Sequence, residues 1–390
     1  MKTDTTSIVK FAQALIRTPS QGGIDPYAPV VDLAYEFAKT QGLSVVKLLD
    51  DKGGPVAVVA KVKGGHAGKT WAVNATLDTA PAGDRSQWHD DPFSGTVENN
   101  VLHGRGAGDS KLAASMFLHL AKEMQDKQQD LHGDFLVILD ADEHTGKFEG
   151  IKAALKAGYK PDGIMIGYAG DDKIVVGSRG FSRYKITLSG KSAHSGATAA
   201  AADNALVRAA DIIQDLSQQP SAATAADFDK PPKVTVTQME GGSGFSVVPA
   251  SAEIYVDTRL TPAFDEAAAD RHIRGIAADH DQRHHVPQAR ATAVEKISSE
   301  PPFLTPANSA LRTALRESVE EITGKKVPEV IAGPSNIGNF LAKSGIEVTA
   351  GYGVPAKGVH ASDERAQLSR LPKVYSVYRQ TLRKLLKVAA

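Results

Sequence analysis

The apolar pattern changes its order once along this chain, at about Gly180, and that change limits the fold to two kinds of module. Before it, segments of helical period alternate with short apolar runs. The spacing predicts helices over Thr5–Ile16 and Pro29–Thr40, and over Ser110–Met124, where Leu112, Met116, Leu120 and Met124 share one face. Strands are predicted at Val56–Val62, Trp71–Leu77, Phe135–Leu139 and Gly163–Gly167. Such alternation gives an α/β fold, a parallel or mixed sheet with helices on its faces. After Gly180 the order is β-α-β-β-α-β. Strand Phe181–Ser189 alternates at period two. Helix Asp203–Leu216, strands Lys233–Gln238 and Ala252–Arg259, helix Asp265–Asp279 and strand Ala289–Val294 come next. This is the order of a ferredoxin-like α+β module with helices on one face. Past Pro301 the α/β character resumes, with a helix from near Asn308, a strand near Glu347–Ala350 and a helix over Leu371–Leu386. The expected organisation is one domain made of residues 1–180 and 294–390, interrupted by an insert at 181–293. Residues 218–232, rich in Ala, Pro and Asp, read as a lid loop. A length of 390 residues suits two cores better than one.

Charge and composition exclude several functions. Lys plus Arg number 45 and so do Asp plus Glu, so nothing draws the chain to nucleic acid or to an anionic membrane. There is no cysteine, which removes disulfides and thiolate metal sites. Any metal must be held by His, Asp and Glu. The first twenty residues lack a long apolar run and read as an amphipathic helix, neither a secretory signal nor a membrane anchor, so a cytoplasmic protein is expected.

Four polar segments sit at the ends of predicted elements: Thr76–Thr79, Gly104–Lys111, Asp140–Gly146 and Gly358–Glu364. Sites in open α/β sheets gather outside the carboxyl ends of strands, so these distant segments are expected to meet. Each also has an ordinary reading. Asp109 before a helix is an N-cap, Glu143–Gly146 is a polar turn, and His360 is a solvated loop residue. His280, His284 and His285 read as a solvated helix end and loop. His66, His132 and His272 have no acidic or histidine context that marks a ligand set.

The order and spacing of these segments resembles the zinc-dependent hydrolase family of acetylornithine deacetylase, succinyl-diaminopimelate desuccinylase, aminoacylase and glutamate carboxypeptidase. The resemblance covers almost the whole chain. It is carried by Leu77-Asp78-Thr79, WHDDPFSG from Trp88, LHGRGAGDSK from Leu102, Asp142-Glu143, GSRG from Gly177 and GKSAHSG from Gly190. Val247-Val248-Pro249, Asp257-Thr258-Arg259 and His360 with Asp363-Glu364 complete it. The resemblance implies a mixed-sheet catalytic domain with a ferredoxin-like lid that dimerises, and two zinc ions bridged by one Asp.

Asp109 matches the bridging residue, Glu143 the general base and His360 the late histidine ligand. Three ligand positions depart from the family. Thr76 stands where the family has a histidine, His144 where it has an acid after the base, and Tyr168 where it has an acidic ligand. Thr76 and Tyr168 both fall on one ion. The other keeps Asp109, His144 and His360, a zinc-competent set with an open position. The expectation is therefore one divalent ion per chain where the family has two, zinc first, with cobalt and manganese open. Asp78 loses the histidine it orients in the family, leaving Thr76 or a water as its partner. His89 and His103 lie in neighbouring segments but not at matching positions. The resemblance further implies that His194 polarises the scissile carbonyl across a homodimer. Arg179 and Arg259 take a substrate carboxylate, with Ser335 and Asn336 beside them; an ion pair within the insert is an equal reading for Arg259. Ser246 and Asn336 replace the family's Asn and Asp, so substrate choice is expected to differ. The expected function is metal-dependent hydrolysis of an amide bond in an N-acyl amino acid or short peptide, with Glu143 activating water. Two alternatives stand: an inactive relative that binds a small carboxylate ligand, and a metal-free lyase or isomerase using Glu143 and Tyr168.

Overall fold

The structure is a computed structural model that describes residues 5–198, 202–218, 220 and 227–388. The chain divides into two compact units, one of Met1–Gly177, Thr305–Val330 and Ser344–Ala390, the other of Ser178–Leu304 and Ile331–Lys343.

The first unit is built on a six-stranded mixed sheet. Its order is Val45–Leu49, Pro55–Val62, Phe135–Asp140, Trp71–Thr76, Gly163–Ile166, Glu347–Thr349. Every residue of Trp71–Thr76 and Phe135–Asp140 is buried, as continuous apolar strands covered on both faces must be. These two strands run parallel, with Thr76 opposite Asp140, and Gly163–Ile166 runs parallel beside them with Asn74 opposite Ile166. The chain therefore leaves all three strands at one edge. Helix Lys111–Gln125 packs on the two central strands and on helix Thr5–Ile16, burying Leu112, Met116, Leu120 and Met124 as the spacing requires. A small antiparallel sheet sets Arg365–Gln367 beside Val101–His103, with Arg365 opposite His103. That pairing brings the late loop 358–364 against the loop 104–110.

The second unit carries a four-stranded antiparallel sheet in the order Lys233–Gly241, Ser251–Leu260, Gly180–Ser189, Ala293–Glu300. Helices Ala205–Leu216 and Glu266–Arg283 pack on it and on each other. Alternate residues of Ser251–Leu260 are buried, so one face holds the core of Tyr184, Ile186, Leu188, Ile212, Val256 and Ile273.

Two sequence expectations are corrected here. The last strand of the insert is Ala293–Glu300, not Ala289–Val294; Gln288–Arg290 is a 3-10 turn. The strand is set by pairing through Glu300 with Phe181, which its polar residues do not advertise. The second helix runs on to Arg283, and His280, expected to be solvated, is wholly buried. Residues 219 and 221–226 of the expected lid loop lie outside the described residues. Among the described residues no helix is long and apolar enough to cross a membrane.

Candidate metal centre

The parallel register brings together three of the four polar segments at the sheet edge, and the small sheet supplies the fourth. One nitrogen each of His144 and His360 and an oxygen of Asp109 lie within 4.8 Å of one another. His360 Nε2 is 2.9 Å from Asp109 Oδ2, and His144 Nε2 is 3.6 Å from the same oxygen. The rings of His144 and His360 are 5.2 Å apart. Asp109 and His144 are buried, while the His360 side chain is 58% exposed and closes the cluster from the solvent side.

Each side chain of the cluster is held by identifiable neighbours. Glu364 positions Asp109. One of its oxygens accepts from the backbone N–H of Gly108 at 2.8 Å and Asp109 at 3.1 Å. The other accepts from Arg105 Nη1 at 2.8 Å and from the N–H of Gly106 at 3.1 Å. Ser110 Oγ accepts from the N–H of Thr76 at 2.9 Å and ties this loop to the strand end. Asp78 positions the other side. It accepts from the Thr76 hydroxyl, from the N–H of Glu143 at 3.1 Å and from the N–H of His144 at 3.0 Å. Asp78 thus keeps a structural role at this edge: it fixes the turn that carries Glu143 and His144.

The electrostatics call for positive charge. The imidazole of His144 lies 3.4 Å from Asp78, 3.5 Å from Glu143 and 3.6 Å from Asp109. Burial opposes charge on this ring, yet the carboxylates outweigh it and raise its pKa to about 11. Burial pushes Asp109 up, but the two imidazoles outweigh that and hold its carboxyl below the usual range. Burial pushes Glu143 up to about 7, with His144 opposing and the acids of Asp109 and Asp78 adding to it. Tyr168 donates its hydroxyl to Glu143 Oε1 at 2.8 Å. Asp109 Oδ1 and both ring nitrogens of His144 are buried without hydrogen-bond partners. Three acids and two imidazoles with unused lone pairs fit a divalent cation, since buried polar atoms are otherwise satisfied.

The remaining predicted residues divide. His89 and His103 do not join the cluster; they line a recess with Trp88, Asp90 and Glu98. In the second unit, Arg259 pairs with Asp257 at 2.8 Å and reaches Ser335 Oγ at 3.3 Å. Arg179 donates to the carbonyls of Gly333 at 2.9 Å and Pro231 at 2.7 Å, and Ser335 donates to the Arg179 carbonyl at 2.6 Å. The Asn336 side chain accepts from the N–H of Gly338 at 2.8 Å and starts a short helix. His194 Nδ1 accepts from the N–H of Gly196 at 3.1 Å on an exposed turn.

Sequence reasoning misses two contributors. Glu364 enters it only as part of a matching segment, yet it carries the Asp109 loop. Gly22 packs so closely that a Cβ there would lie 3.0 Å from His144 Cβ and 3.2 Å from Asp78 Oδ2. A Gln-Gly-Gly turn after a helix is the available signal.

Known proteins agree with this architecture. The chain is 27% identical over 383 residues to a succinyl-diaminopimelate desuccinylase of Xanthobacter autotrophicus, covering 94% of this chain and 96% of that one. An M20 family metallo-carboxypeptidase from Sulfolobus solfataricus superposes with a TM-score of 0.79 at 21% identity, over 98% of this chain and 99% of the other. A dinuclear metal binding peptidase of the M20 family from Bacillus subtilis superposes with a TM-score of 0.72 at 16% identity, over 99% of each chain. These two show a shared fold. The family model for peptidase family M20/M25/M40 matches residues 72–384, and the chain belongs to that family.

Proposed function

We propose that this M20 hydrolase cleaves the amide bond of an N-acyl amino acid or short peptide with a single divalent ion, zinc in the first instance, held by Asp109, His144 and His360. The single-ion reading is carried by where two hydroxyls go. Thr76 donates to Asp78 and Tyr168 donates to Glu143, so both altered positions serve carboxylates of the chain. Three protein ligands with an open position are a catalytic arrangement. When bound, such an ion lowers the pKa of a water and polarises a carbonyl oxygen.

Glu143 takes the proton of the attacking water and returns it to the leaving nitrogen. Tyr168 holds Glu143 Oε1, so Oε2, 3.5 Å from His144 Nδ1, is the oxygen left to take the proton in this reading. Asp78 keeps Glu143 and His144 in register through their backbone N–H groups. In this reading the second unit is a lid and the surface of a homodimer. His194 stabilises the developing oxyanion. Arg259, beside Arg179 and Ser335, takes the substrate carboxylate, to which the guanidinium fork is suited. Asn336 contributes to the same loop. The name of the X. autotrophicus relative makes N-succinyl amino acids the first compounds to try. A cytoplasmic site of action belongs to the same reading.

Elemental analysis of purified chain, paired with turnover of a panel of N-acyl amino acids and dipeptides, tests the proposal. One ion lost in Asp109→Ala, and turnover lost on chelation and restored by zinc, are expected. Loss of two ions in Asp109→Ala overturns the single-ion reading. Metal without turnover identifies an inactive binder, and turnover after exhaustive chelation identifies a metal-free mechanism.

A further inference from the structure

The second unit carries a histidine cluster that the amide chemistry does not use. His280 and His284 are four residues apart at the end of helix Glu266–Arg283 and so share a face, with rings 4.4 Å apart. Asp211 comes from the neighbouring helix Ala205–Leu216, and its Oδ2 lies 3.4 Å from His284 Nε2. One ring nitrogen from each histidine and one oxygen of Asp211 lie within 4.8 Å of one another.

His280 makes this more than a surface ion pair. Its side chain is fully buried, and its Nε2 has no hydrogen-bond partner. Its other nitrogen, Nδ1, is 3.3 Å from Asp281 Oδ1. Asp281 is anchored as an anion: it accepts from the N–H of Thr292 at 2.6 Å, from the Thr292 hydroxyl at 2.7 Å and from Arg208 Nη2 at 3.2 Å. An anionic acceptor fixes the ring proton on Nδ1 and leaves the lone pair on Nε2. A carboxylate behind a histidine is the arrangement that orients metal-ligating imidazoles. The nearby positive charge of Arg208 is offset by Asp203 at 3.4 Å as well as by Asp281.

We propose that Asp211, His280 through Nε2, and His284 form a second metal site. It takes a divalent ion that favours imidazole, such as zinc, nickel or copper(II). The ion pins the two helices of this unit together, with water completing its coordination. The site is independent of the centre at Asp109 and of any turnover there.

The test uses the full chain with the first centre disabled by Asp109→Ala and His360→Ala, titrated calorimetrically with zinc. One equivalent is expected to bind, and to be lost when Asp211→Asn or His284→Ala is added. These two positions are partly exposed, so they spare the core that His280→Ala would disturb. Copper(II) in the same protein should give an electron paramagnetic resonance spectrum with couplings to two nitrogens, falling to one in His284→Ala. In the otherwise unaltered chain, His284→Ala should lower zinc stoichiometry by one equivalent, a check that does not depend on the disabled variant folding. Absence of zinc binding in a folded disabled chain, or binding indifferent to His284→Ala, overturns the site.

Discussion

Glu364→Gln should unfold the first unit more easily and loosen its metal, although Glu364 touches no ligand side chain. The carboxylate is 1% exposed and accepts four hydrogen bonds. In the amide, the oxygen keeps the N–H groups of Gly108 and Asp109. The NH2 then faces two donors, the N–H of Gly106 and Arg105 Nη1. Two bonds to a charged acceptor are lost, each worth about 1.5–3 kcal/mol, so the cost is about 3–6 kcal/mol. Breaking a buried ion pair from one side gives about 3–5 kcal/mol by a separate route, and the two estimates agree. Arg105→Met should cost less, because Glu364 keeps its three backbone donors and loses one cation. Urea unfolding monitored by circular dichroism reads both variants, and chelator competition reads zinc affinity, expected to fall about 10–100-fold in Glu364→Gln. A loss below about 1 kcal/mol with unchanged zinc affinity, or a larger loss in Arg105→Met, refutes the reasoning.

Glu143→Gln should reduce turnover by about 10²–10⁴-fold or more while metal content and melting temperature stay near those of the parent, since the amide keeps the shape and loses the base. Steady-state rates with elemental analysis check this, and unchanged turnover removes Glu143 from the mechanism. The variant Thr76→His with His144→Glu and Tyr168→Glu should raise the metal count by one ion over the parent, measured by elemental analysis; a count that does not rise shows that these positions do not govern the number of ions.

The convergence of the site is readable in the sequence because it arises from strand ends. Runs ending at Thr76, Asp140 and Ile166 are apolar and continuous, and parallel pairing delivers the loops after them to one edge. The support is not readable in the same way. Glu364 meets backbone N–H groups 255 to 258 residues away, and Asp78 meets those of Glu143 and His144, 65 and 66 residues away. A backbone donor has no residue type, so no motif marks it. His280 is a different case. Its neighbours Asp279, Asp281 and Gln282 suggest a solvated position. Yet Ala269, Ile273, Ala277 and His280 recur at helical spacing, and all four are buried. The stripe is present in the sequence, and it needs only the helix to continue one turn past Asp279.

The charges of the altered site obey one rule. A second divalent ion adds two positive charges, and a buried site that holds it must offset them. Relative to the family pattern, His144 removes one negative charge and Tyr168 removes another, while Thr76 removes a neutral ligand. The loss of two negative charges equals the charge of one dication. Asp78, Asp109 and Glu143 remain around His144, enough acid for one ion and too little for two without further compensation. Random loss has no reason to balance in this way, nor to leave Thr76 and Tyr168 each donating to one of the retained acids. The charge balance therefore favours a site rebuilt around one cation over a site in decay. On the same rule the second ion returns only when both charges do, with His144→Glu and Tyr168→Glu beside Thr76→His.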